Sequence, residues 1–235
     1  MINSTLLRVI NVGVHVVGAV LFPFGIYTHY KVDIPVDVNP IDSAYGQKFK
    51  YLTFIDEIVQ ASYFTVCVVC DIISLSNVSS VTTLSSVRDY FFASIGFPIG
   101  SFVAITFWAL FVLDRNLVMP AEFDQYFPMW LNHIVHSMVF VLPVMEIITS
   151  PREYPSIQNG LIGLCVFQGV YLVWIHVVYY KCNMWVYPIL EKLGLFARYM
   201  FLGSSVAFSI ALYFGGQFLN NTIWSAQGPS AKKLI

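Results

Sequence analysis

Charged side chains are scarce in this sequence. Asp, Glu, Lys and Arg together supply 11% of its 235 residues, whereas soluble domains carry about 25%. Hydrophobic residues supply 57%, and the mean hydropathy is +0.71. A chain with so few charges cannot cover its own surface with polar groups, so we expect a polytopic membrane protein. The net charge of −1 gives no basis for binding nucleic acid.

Several sequence patterns of soluble enzymes are also missing. The chain has no phosphate-cradling glycine loop, no Gly-x-Ser-x-Gly elbow and no His-Glu-x-x-His zinc motif. Of its four cysteines, Cys67 and Cys70 have the spacing of a redox pair. They sit in an apolar run without polar neighbours, which favours buried structural thiols. No alternating strand pattern competes with helices.

Six apolar runs are long enough to cross a bilayer as helices, which takes about 20 residues each. These runs are Leu6–Tyr27, Phe49–Ser74, Tyr90–Leu113, Pro128–Ile148, Ile157–Tyr180 and Tyr199–Trp224. We therefore predict an all-α fold, a polytopic membrane helical bundle of about six transmembrane helices with an intramembrane polar site. In this prediction residues 1–225 form a single transmembrane helical domain, residues 226–235 form a polar C-terminal tail, and Ser76–Ser86 form a loop.

The order of the helices places polar residues of distant spans in one leaflet. Spans 2, 4 and 6 start on the side where spans 1, 3 and 5 end. Thr53 follows the start of span 2 and His136 the start of span 4, roughly 6 and 12 Å below one surface at about 1.5 Å per residue. His176, near the end of span 5, belongs to that leaflet too. The same leaflet holds four further polar residues, Asn132, His133, Asp56 and Glu57.

A hydroxyl and an imidazole on neighbouring helices can form a nucleophile–base pair. The base takes the hydroxyl proton, and the alkoxide attacks an ester carbonyl. Thr53 and His136 are the residues that could meet in this way. Threonine hydroxyls in membrane helices more often bond a backbone carbonyl of their own helix. Intramembrane histidines, in contrast, are rare and indicate function, so the pattern favours His136 more than Thr53.

Other roles for the histidines stay open at this point. His133 or His136, together with His176, could supply two axial imidazoles to a haem. A zinc site is the weaker alternative, because the Asn-His-x-x-His motif of span 4 lacks a catalytic glutamate and needs further ligands. We interpret His15 and His29 as structural, and His133 as a structural donor or an orienting partner.

A set of short motifs runs through most of the chain in a fixed order. The motifs are Lys50-Tyr51-Leu52-Thr53-Phe54-Ile55-Asp56, Phe97-Pro98-Ile99-Gly100, Phe107-Trp108, Asp114-Arg115, Trp130-Leu131-Asn132-His133-Ile134-Val135-His136, Asn183-Met184-Trp185-Val186-Tyr187-Pro188, and Leu219-Asn220-Asn221 with Trp224. Each motif is short, but the ordered set is specific. In these motifs the chain resembles the androgen-induced / androgen-dependent TFPI-regulating protein family of multipass membrane proteins.

The resemblance implies an activity and two catalytic residues. Members of the family are described as threonine hydrolases of fatty-acid esters of hydroxy fatty acids. Their nucleophile, the threonine of a Lys-aromatic-Leu-Thr-Phe motif, falls on Thr53. Their essential histidine, the second of the Asn-His-x-x-His pair, falls on His136. The residue after it is usually threonine in the family, and here Ser137 keeps a hydroxyl at that position.

We therefore expect an intramembrane lipid-ester hydrolase that needs no cofactor and no metal. Its partners are the membrane and a lipid ester that enters from the bilayer, and not nucleic acid. His136 would deprotonate Thr53, protonate the leaving alcohol and then activate water for deacylation. A haem-binding membrane redox protein and a non-catalytic lipid-binding regulator are the alternatives. The sequence gives no oligomeric state.

Five further residues are expected to support this chemistry. Asn132 shares a helix face with His136 and is a candidate amide donor to the developing oxyanion. Asp56 or Glu57 is expected to polarise an imidazole, as the third residue of a triad does. Lys50 and Arg115 lie near the same surface and are candidates for binding a substrate carboxylate, although such side chains also snorkel at membrane interfaces.

Basic residues leave the membrane orientation undecided. Loops 1, 3 and 5 and their flanks carry seven Lys and Arg residues and the other side carries five, too even a division for the positive-inside rule. The ending Lys232-Lys233-Leu234-Ile235 resembles a dilysine retrieval signal, and the alternative is a solvated basic tail. As a signal it would place both termini in the cytosol and the polar site in the lumenal leaflet. We thus expect the endoplasmic reticulum, with the plasma membrane as the alternative.

Replacing Lys232 and Lys233 together by serine tests this expectation. An N-terminally tagged protein should leave the endoplasmic reticulum for later compartments, because the retrieval signal would be lost. Fluorescence imaging with compartment markers measures the change, and Lys181→Ser serves as a control for the loss of a positive charge. An unchanged distribution of the double variant would identify these residues as an ordinary basic tail.

Overall fold

The computed structural model describes residues 4–75 and 81–225, and over these residues the chain is helical without a β-strand. The helices are α1 Ser4–Lys31, α2 Leu52–Leu75, α3 Val81–Phe91, α4 Phe97–Asp114, α5 Met129–His133, α6 Val139–Thr149, α7 Ile157–Cys182, α8 Pro188–Lys192 and α9 Leu195–Trp224. Short 3₁₀ turns cover Gln47–Lys50, Arg115–Leu117 and Ala121–Gln125. The predicted all-α fold is confirmed.

Two π turns join shorter helices into continuous spans. Phe92–Gly96 connects α3 to α4, and Ile134–Met138 connects α5 to α6. Within the described residues, six helices are long and apolar enough to cross a membrane. They are Thr5–Lys31, Leu52–Leu75, Thr83–Leu117, Met129–Thr149, Ile157–Cys182 and Leu195–Trp224. The expectation of six spans is therefore confirmed.

The third span begins earlier than its hydropathy predicts. We expected a loop over Ser76–Ser86, but the chain is helical from Val81 onward. The charged residues of α3 are paired, since Arg88 and Arg152 both donate to the Asp89 carboxylate. A charge that is paired by a distant residue no longer has to end a span, and sequence alone cannot show that pairing. Residues 76–80 and the predicted tail 226–235, with Lys232 and Lys233, lie outside the described residues.

Glycines allow close packing of the spans, and two of them show how. Gly18 of α1 faces the ring of Phe64 in α2, and Gly100 of α4 faces the backbone carbonyl of Val139. A Cβ atom at either position would collide with these atoms. Small residues of this kind let membrane helices approach closely. The second contact sets the distance between spans 3 and 4, which both contribute to the candidate site.

A buried polar network occupies the end of the bundle that is remote from Thr53. We call it the Glu146 cluster, and its members are Asn11, His15, Tyr63, Asp71, Asp89, Glu146, Thr149, Arg152 and Asn220. Glu146 accepts hydrogen bonds from Arg152, from His15 Nε2 at 3.0 Å and from the Tyr63 hydroxyl at 3.3 Å. Glu146 is 0% exposed and Arg152 is 2% exposed. The cluster thus joins spans 1, 2, 3, 4 and 6 by ion pairs and hydrogen bonds.

At the other end, two tyrosines hold the start of α2. The backbone N–H of Leu52 donates to the hydroxyls of Tyr171 at 3.0 Å and Tyr187 at 2.8 Å. Tyr171 in turn donates to the carbonyl of Lys50 at 3.1 Å, and the two hydroxyls lie 3.0 Å apart. The first N–H groups of a helix have no partner within it, so these hydroxyls satisfy one of them. They also fix the backbone directly before Thr53.

The Glu146 cluster predicts a large cost for removing Arg152. Arg152→Ala leaves the Glu146 carboxylate buried beside too few cations, which should lower the free energy of unfolding by about 3–5 kcal/mol. Unfolding in mixed detergent micelles measures this loss. Asp124→Ala is the control, because it breaks the half-exposed Arg115–Asp124 pair and should cost about 0–1 kcal/mol. Equal losses in the two variants would contradict the importance of the cluster.

The tyrosine pair gives a second stability prediction. The double variant Tyr171→Phe/Tyr187→Phe leaves the Leu52 N–H without an acceptor and should cost about 1–3 kcal/mol. The same micelle titration measures it. Tyr180→Phe, at a residue that is 84% exposed, is the matched control and should change stability by less than about 0.5 kcal/mol. No difference between these variants would show that water replaces the tyrosine hydroxyls.

Candidate active site

Thr53 and His136 lie together at the wall of a cavity. Thr53 is the second residue of α2, and His136 sits in the π turn of the fourth span. The distance between Thr53 Oγ1 and His136 Nε2 is 3.3 Å. Catalytic hydrogen bonds are often this long before substrate binds. Two residues that are 83 positions apart in the chain are thus within reach of one proton transfer.

Asn132 orients the imidazole of His136. Its side-chain oxygen lies 2.6 Å from His136 Nδ1, and an amide oxygen can only accept a hydrogen bond. Nδ1 therefore carries the hydrogen, and Nε2 presents a lone pair to the Thr53 hydroxyl. This tautomer is the one that a base acting on Thr53 requires. Because Asn132 is 0% exposed, solvent does not compete for its amide.

Aromatic side chains of the third span fix the ring and the turn that carries it. Phe107 stacks on His136 with the ring centroids 3.5 Å apart and the planes inclined by 7°. The indole N–H of Trp108 donates to the carbonyl of His136 at 3.2 Å and to the hydroxyl of Ser137 at 3.1 Å. π turns often occur at functional sites. Here the turn supplies the histidine, and span 3 holds it in place.

The cavity beside this pair has a volume of about 510 Å³, within the usual range of about 300–1,000 Å³ for small-molecule sites. Its walls are mostly apolar and come from all six spans together with loops 1, 3 and 5. The apolar lining includes Phe102, Val103, Phe107, Leu110, Phe127, Phe167, Leu172, Ile175, Phe201 and Leu202. Thr53, His136 and His29 are polar residues on the same walls. The cavity therefore offers room for an apolar chain next to a hydroxyl–imidazole pair.

Asp56 and Glu57 do not contact His136. Asp56 accepts a hydrogen bond from Gln60 at 3.0 Å, and Glu57 lies 2.5 Å from Nδ1 of His29. We expected one of these carboxylates to polarise an imidazole. Glu57 bonds the imidazole of His29, whereas Asn132 bonds that of His136. We also expected Asn132 to act as an oxyanion donor, whereas its oxygen faces the ring and its amide nitrogen lies 3.9 Å from the Met129 sulfur.

The remaining histidines of this end lie apart from the pair. His133 is exposed, bonds Ser137 at 3.0 Å and stacks on Trp108. His176 bonds the carbonyl of Leu172 in its own helix at 2.7 Å and lies outside the lining of the cavity. Both nitrogens of His136 are engaged. The structure thus does not bring His176 together with His133 or His136 in the arrangement that axial haem ligation needs.

Lys50 and Arg115 are engaged away from the cavity. Lys50 is fully buried and donates to the carbonyls of Asp42 at 2.8 Å and Gln47 at 2.5 Å. Burial lowers the pKa of the Lys50 ammonium to about 8. Arg115 forms a two-bond pair with Asp124 at 3.0 and 2.6 Å. Neither cation lines the cavity, so neither is placed to receive a substrate carboxylate.

Sequence reasoning missed His29. This residue lines the cavity, and Glu57 bonds its ring, although we interpreted it as structural. The order of the spans could have found it, because the end of span 1 lies in the same leaflet as the start of span 2. The pairing itself could not be read from the sequence.

One group of described residues has the makeup of a metal site. Ligand atoms of His15, Cys67 and Glu146 lie within 4.8 Å of one another. However, Arg152 already pairs with Glu146, and His15 bonds both Glu146 and Asp71. A metal ion would have to displace the guanidinium, so the donors fit their present ion pairs better than a cation.

Comparisons with known proteins agree with the motifs. A model of the family described as FAR-17a/AIG1-like protein matches residues 10–221. The human androgen-induced gene 1 protein is 39% identical over 80% of this chain and 82% of its own. The human androgen-dependent TFPI-regulating protein is 31% identical over 84% of this chain and 86% of its own.

A more distant relative is a membrane protein of Schizosaccharomyces pombe, 25% identical over 72% of this chain and 74% of its own. No solved structure matches the chain. The family match covers all six spans except the ends of the first and the last. The chain belongs to the FAR-17a/AIG1-like family of proteins and is an integral, multi-pass membrane protein.

Proposed function

We propose that this protein is an intramembrane lipid-ester hydrolase with Thr53 as nucleophile and His136 as base. The observation that carries the proposal is the line of three residues from Asn132 through His136 to Thr53, at 2.6 and 3.3 Å. A nucleophile, a base and a group that orients the base are the three parts that a covalent hydrolase needs. The nucleophile and the base lie on the wall of an apolar cavity.

Acylation begins when His136 Nε2 takes the proton of the Thr53 hydroxyl. The threonine oxygen then bonds the carbonyl carbon of the ester, and the alcohol departs to leave an acyl-threonine. Asn132 bonds the Nδ1–H of the imidazolium that forms and keeps the ring in place. Water attacks the acyl group in a second step and releases the fatty acid. The reaction consumes one ester and one water and yields one acid and one alcohol.

The cavity supports a lipid as substrate. Its lining is mostly aromatic and aliphatic, so an apolar chain that enters from the bilayer meets equally apolar surroundings there. Lys48 also lines the cavity, but its ammonium is paired with Asp42 at 2.8 and 2.7 Å. From the family resemblance we propose fatty-acid esters of hydroxy fatty acids as the substrate class. From the ending Lys232-Lys233-Leu234-Ile235 we propose the endoplasmic reticulum as the location.

Active-site labelling tests this proposal. A fluorophosphonate probe should label the wild-type protein in membranes, and Thr53→Ala and His136→Ala should abolish labelling because nucleophile or base is lost. Hydrolysis of a fatty-acid ester should fall at least about 100-fold in both variants. Thr65→Ala is the matched control, since Thr65 lies on the same helix and bonds the carbonyl of Ala61 at 2.7 Å.

The outcomes separate the alternatives. Wild-type protein that neither labels nor hydrolyses any lipid ester would overturn the hydrolase proposal in favour of a lipid-binding regulator. A Soret absorption band in purified protein would favour the haem-binding alternative. Loss of labelling in Thr65→Ala as well would show that substitutions in α2 disrupt the fold. Thr53→Ser, which keeps the hydroxyl, would then separate a loss of folding from a loss of the nucleophile.

A further inference from the structure

A second histidine reaches the same cavity as Thr53 and His136. His29 lies in the last turn of α1 and lines the cavity. Its ring packs edge-on against Phe54 and Phe127, with centroids 5.2 and 5.1 Å apart, and the residue is 6% exposed. Nδ1 lies 2.5 Å from Glu57 Oε1. No other hydrogen bond to this ring occurs among the described residues, so Nε2 is the polar atom that His29 has left to offer.

Glu57 ties this histidine to the helix that carries the nucleophile. Thr53 and Glu57 are four residues apart on α2, which places them on one helix face with Cβ atoms about 5–6 Å apart. Glu57 is 0% exposed, and its second carboxylate oxygen has no partner. A buried carboxylate is costly unless a partner offsets it, and the ring of His29 is the partner that bonds it.

The two histidines therefore have partners of different charge. His136 bonds the neutral amide of Asn132, which suits a neutral imidazole that accepts a proton. His29 bonds the carboxylate of Glu57 through Nδ1, so a proton carried on Nε2 would leave the ring beside an acidic group. One histidine with a neutral partner and one with an acidic partner can divide the roles of base and acid in one site.

Resting on the proposed hydrolysis, we propose that His29 is a second catalytic residue, the general acid that protonates the leaving alcohol. In acylation, Thr53 Oγ1 bonds the carbonyl carbon and its proton goes to His136 Nε2. The bond between that carbon and the alcohol oxygen breaks, and the oxygen takes the proton of His29 Nε2. This assignment moves the second proton transfer from His136, where we expected it, to His29.

Deacylation returns both histidines to their starting states. Water attacks the acyl carbon and gives a proton to the now neutral Nε2 of His29. The threonine oxygen then departs and takes back the proton that His136 holds. Across the two steps one ester and one water become one carboxylic acid and one alcohol. No oxidant, reductant or other reactant is needed.

Leaving-group dependence tests the assignment. Two esters of the same fatty acid are compared, a 4-nitrophenyl ester, whose leaving group needs no proton, and a secondary-alkyl ester, whose leaving group does. His29→Gln should lower kcat/KM at least about 100-fold for the alkyl ester and at least tenfold less for the nitrophenyl ester. With the nitrophenyl ester, a burst of 4-nitrophenol should precede slow turnover, because deacylation then lacks its base.

Two further variants keep the test decisive. Glu57→Gln removes the carboxylate charge but keeps an oxygen near Nδ1, so it should show the same selectivity for leaving group if His29→Gln fails to fold. His176→Gln, at a histidine that bonds the Leu172 carbonyl of its own helix and lies outside the cavity lining, is the control and should affect both esters equally and little. An equal fall of kcat/KM for the two esters in His29→Gln and Glu57→Gln would overturn the assignment and leave His29 as the structural counter-ion of Glu57.

Failure of the hydrolase proposal gives a different result. His136→Ala should lower kcat/KM for both esters, because Thr53 needs its base whatever the leaving group. Full activity of His136→Ala towards both esters would overturn the proposed function itself, and the assignment of His29 with it. A fall for both esters in His136→Ala with an equal fall in His29→Gln would overturn the assignment of His29 alone.

Discussion

The arrangement of the spans depends on the ion pair between Glu146 and Arg152. Glu146 gathers donors from Asn11 and His15 in span 1 and from Tyr63 in span 2. Arg152 extends the network to spans 3 and 6 through Asp89 and Asn220. Lipid and protein are equally apolar, so apolar contact alone gives little preference for one arrangement of membrane helices. Buried charges do favour one arrangement, because each charge has to lie next to its partner.

The two ends of the bundle are consequently built in different ways. The spans at one end are held by paired charges, whereas at the cavity end the ion pairs Lys48–Asp42 and Arg115–Asp124 lie in the loops. There the spans are held mainly by neutral contacts around Leu52, Trp108 and Asn132. At the cavity end the spans do bury an ion pair, between His29 and Glu57, and its His29 lines the cavity. A rigid scaffold below a cavity keeps reactive groups in fixed geometry. The Glu146 cluster supplies that scaffold, and the cavity end supplies the room for a substrate.

Most of the fold could be predicted from the sequence because a bilayer leaves few alternatives. Hydropathy located the six spans, and the direction of each span placed Thr53 and His136 in one leaflet. The predicted boundary of a span was wrong where a distant residue neutralises a charge, as Arg152 does for Asp89 within Val81–Phe91. The predicted partners of individual side chains were wrong more often. Glu57 bonds His29, which depends on helix rotation, and Lys50 bonds backbone carbonyls, which depends on the path of loop 1. Hydropathy defines neither.

The π turn over Ile134–Met138 has a consequence for the length of the chain. The turn lies between Asn132, which bonds His136 at the cavity, and Glu146, which belongs to the Glu146 cluster. The number of residues in the turn therefore sets the angle between these two side chains about the helix axis. Each residue turns a helix by about 100°. One inserted residue here would leave every side chain present and still rotate Glu146 away from Arg152 and His15. Apart from His136, side chains in this stretch can be exchanged more safely than residues can be added or removed.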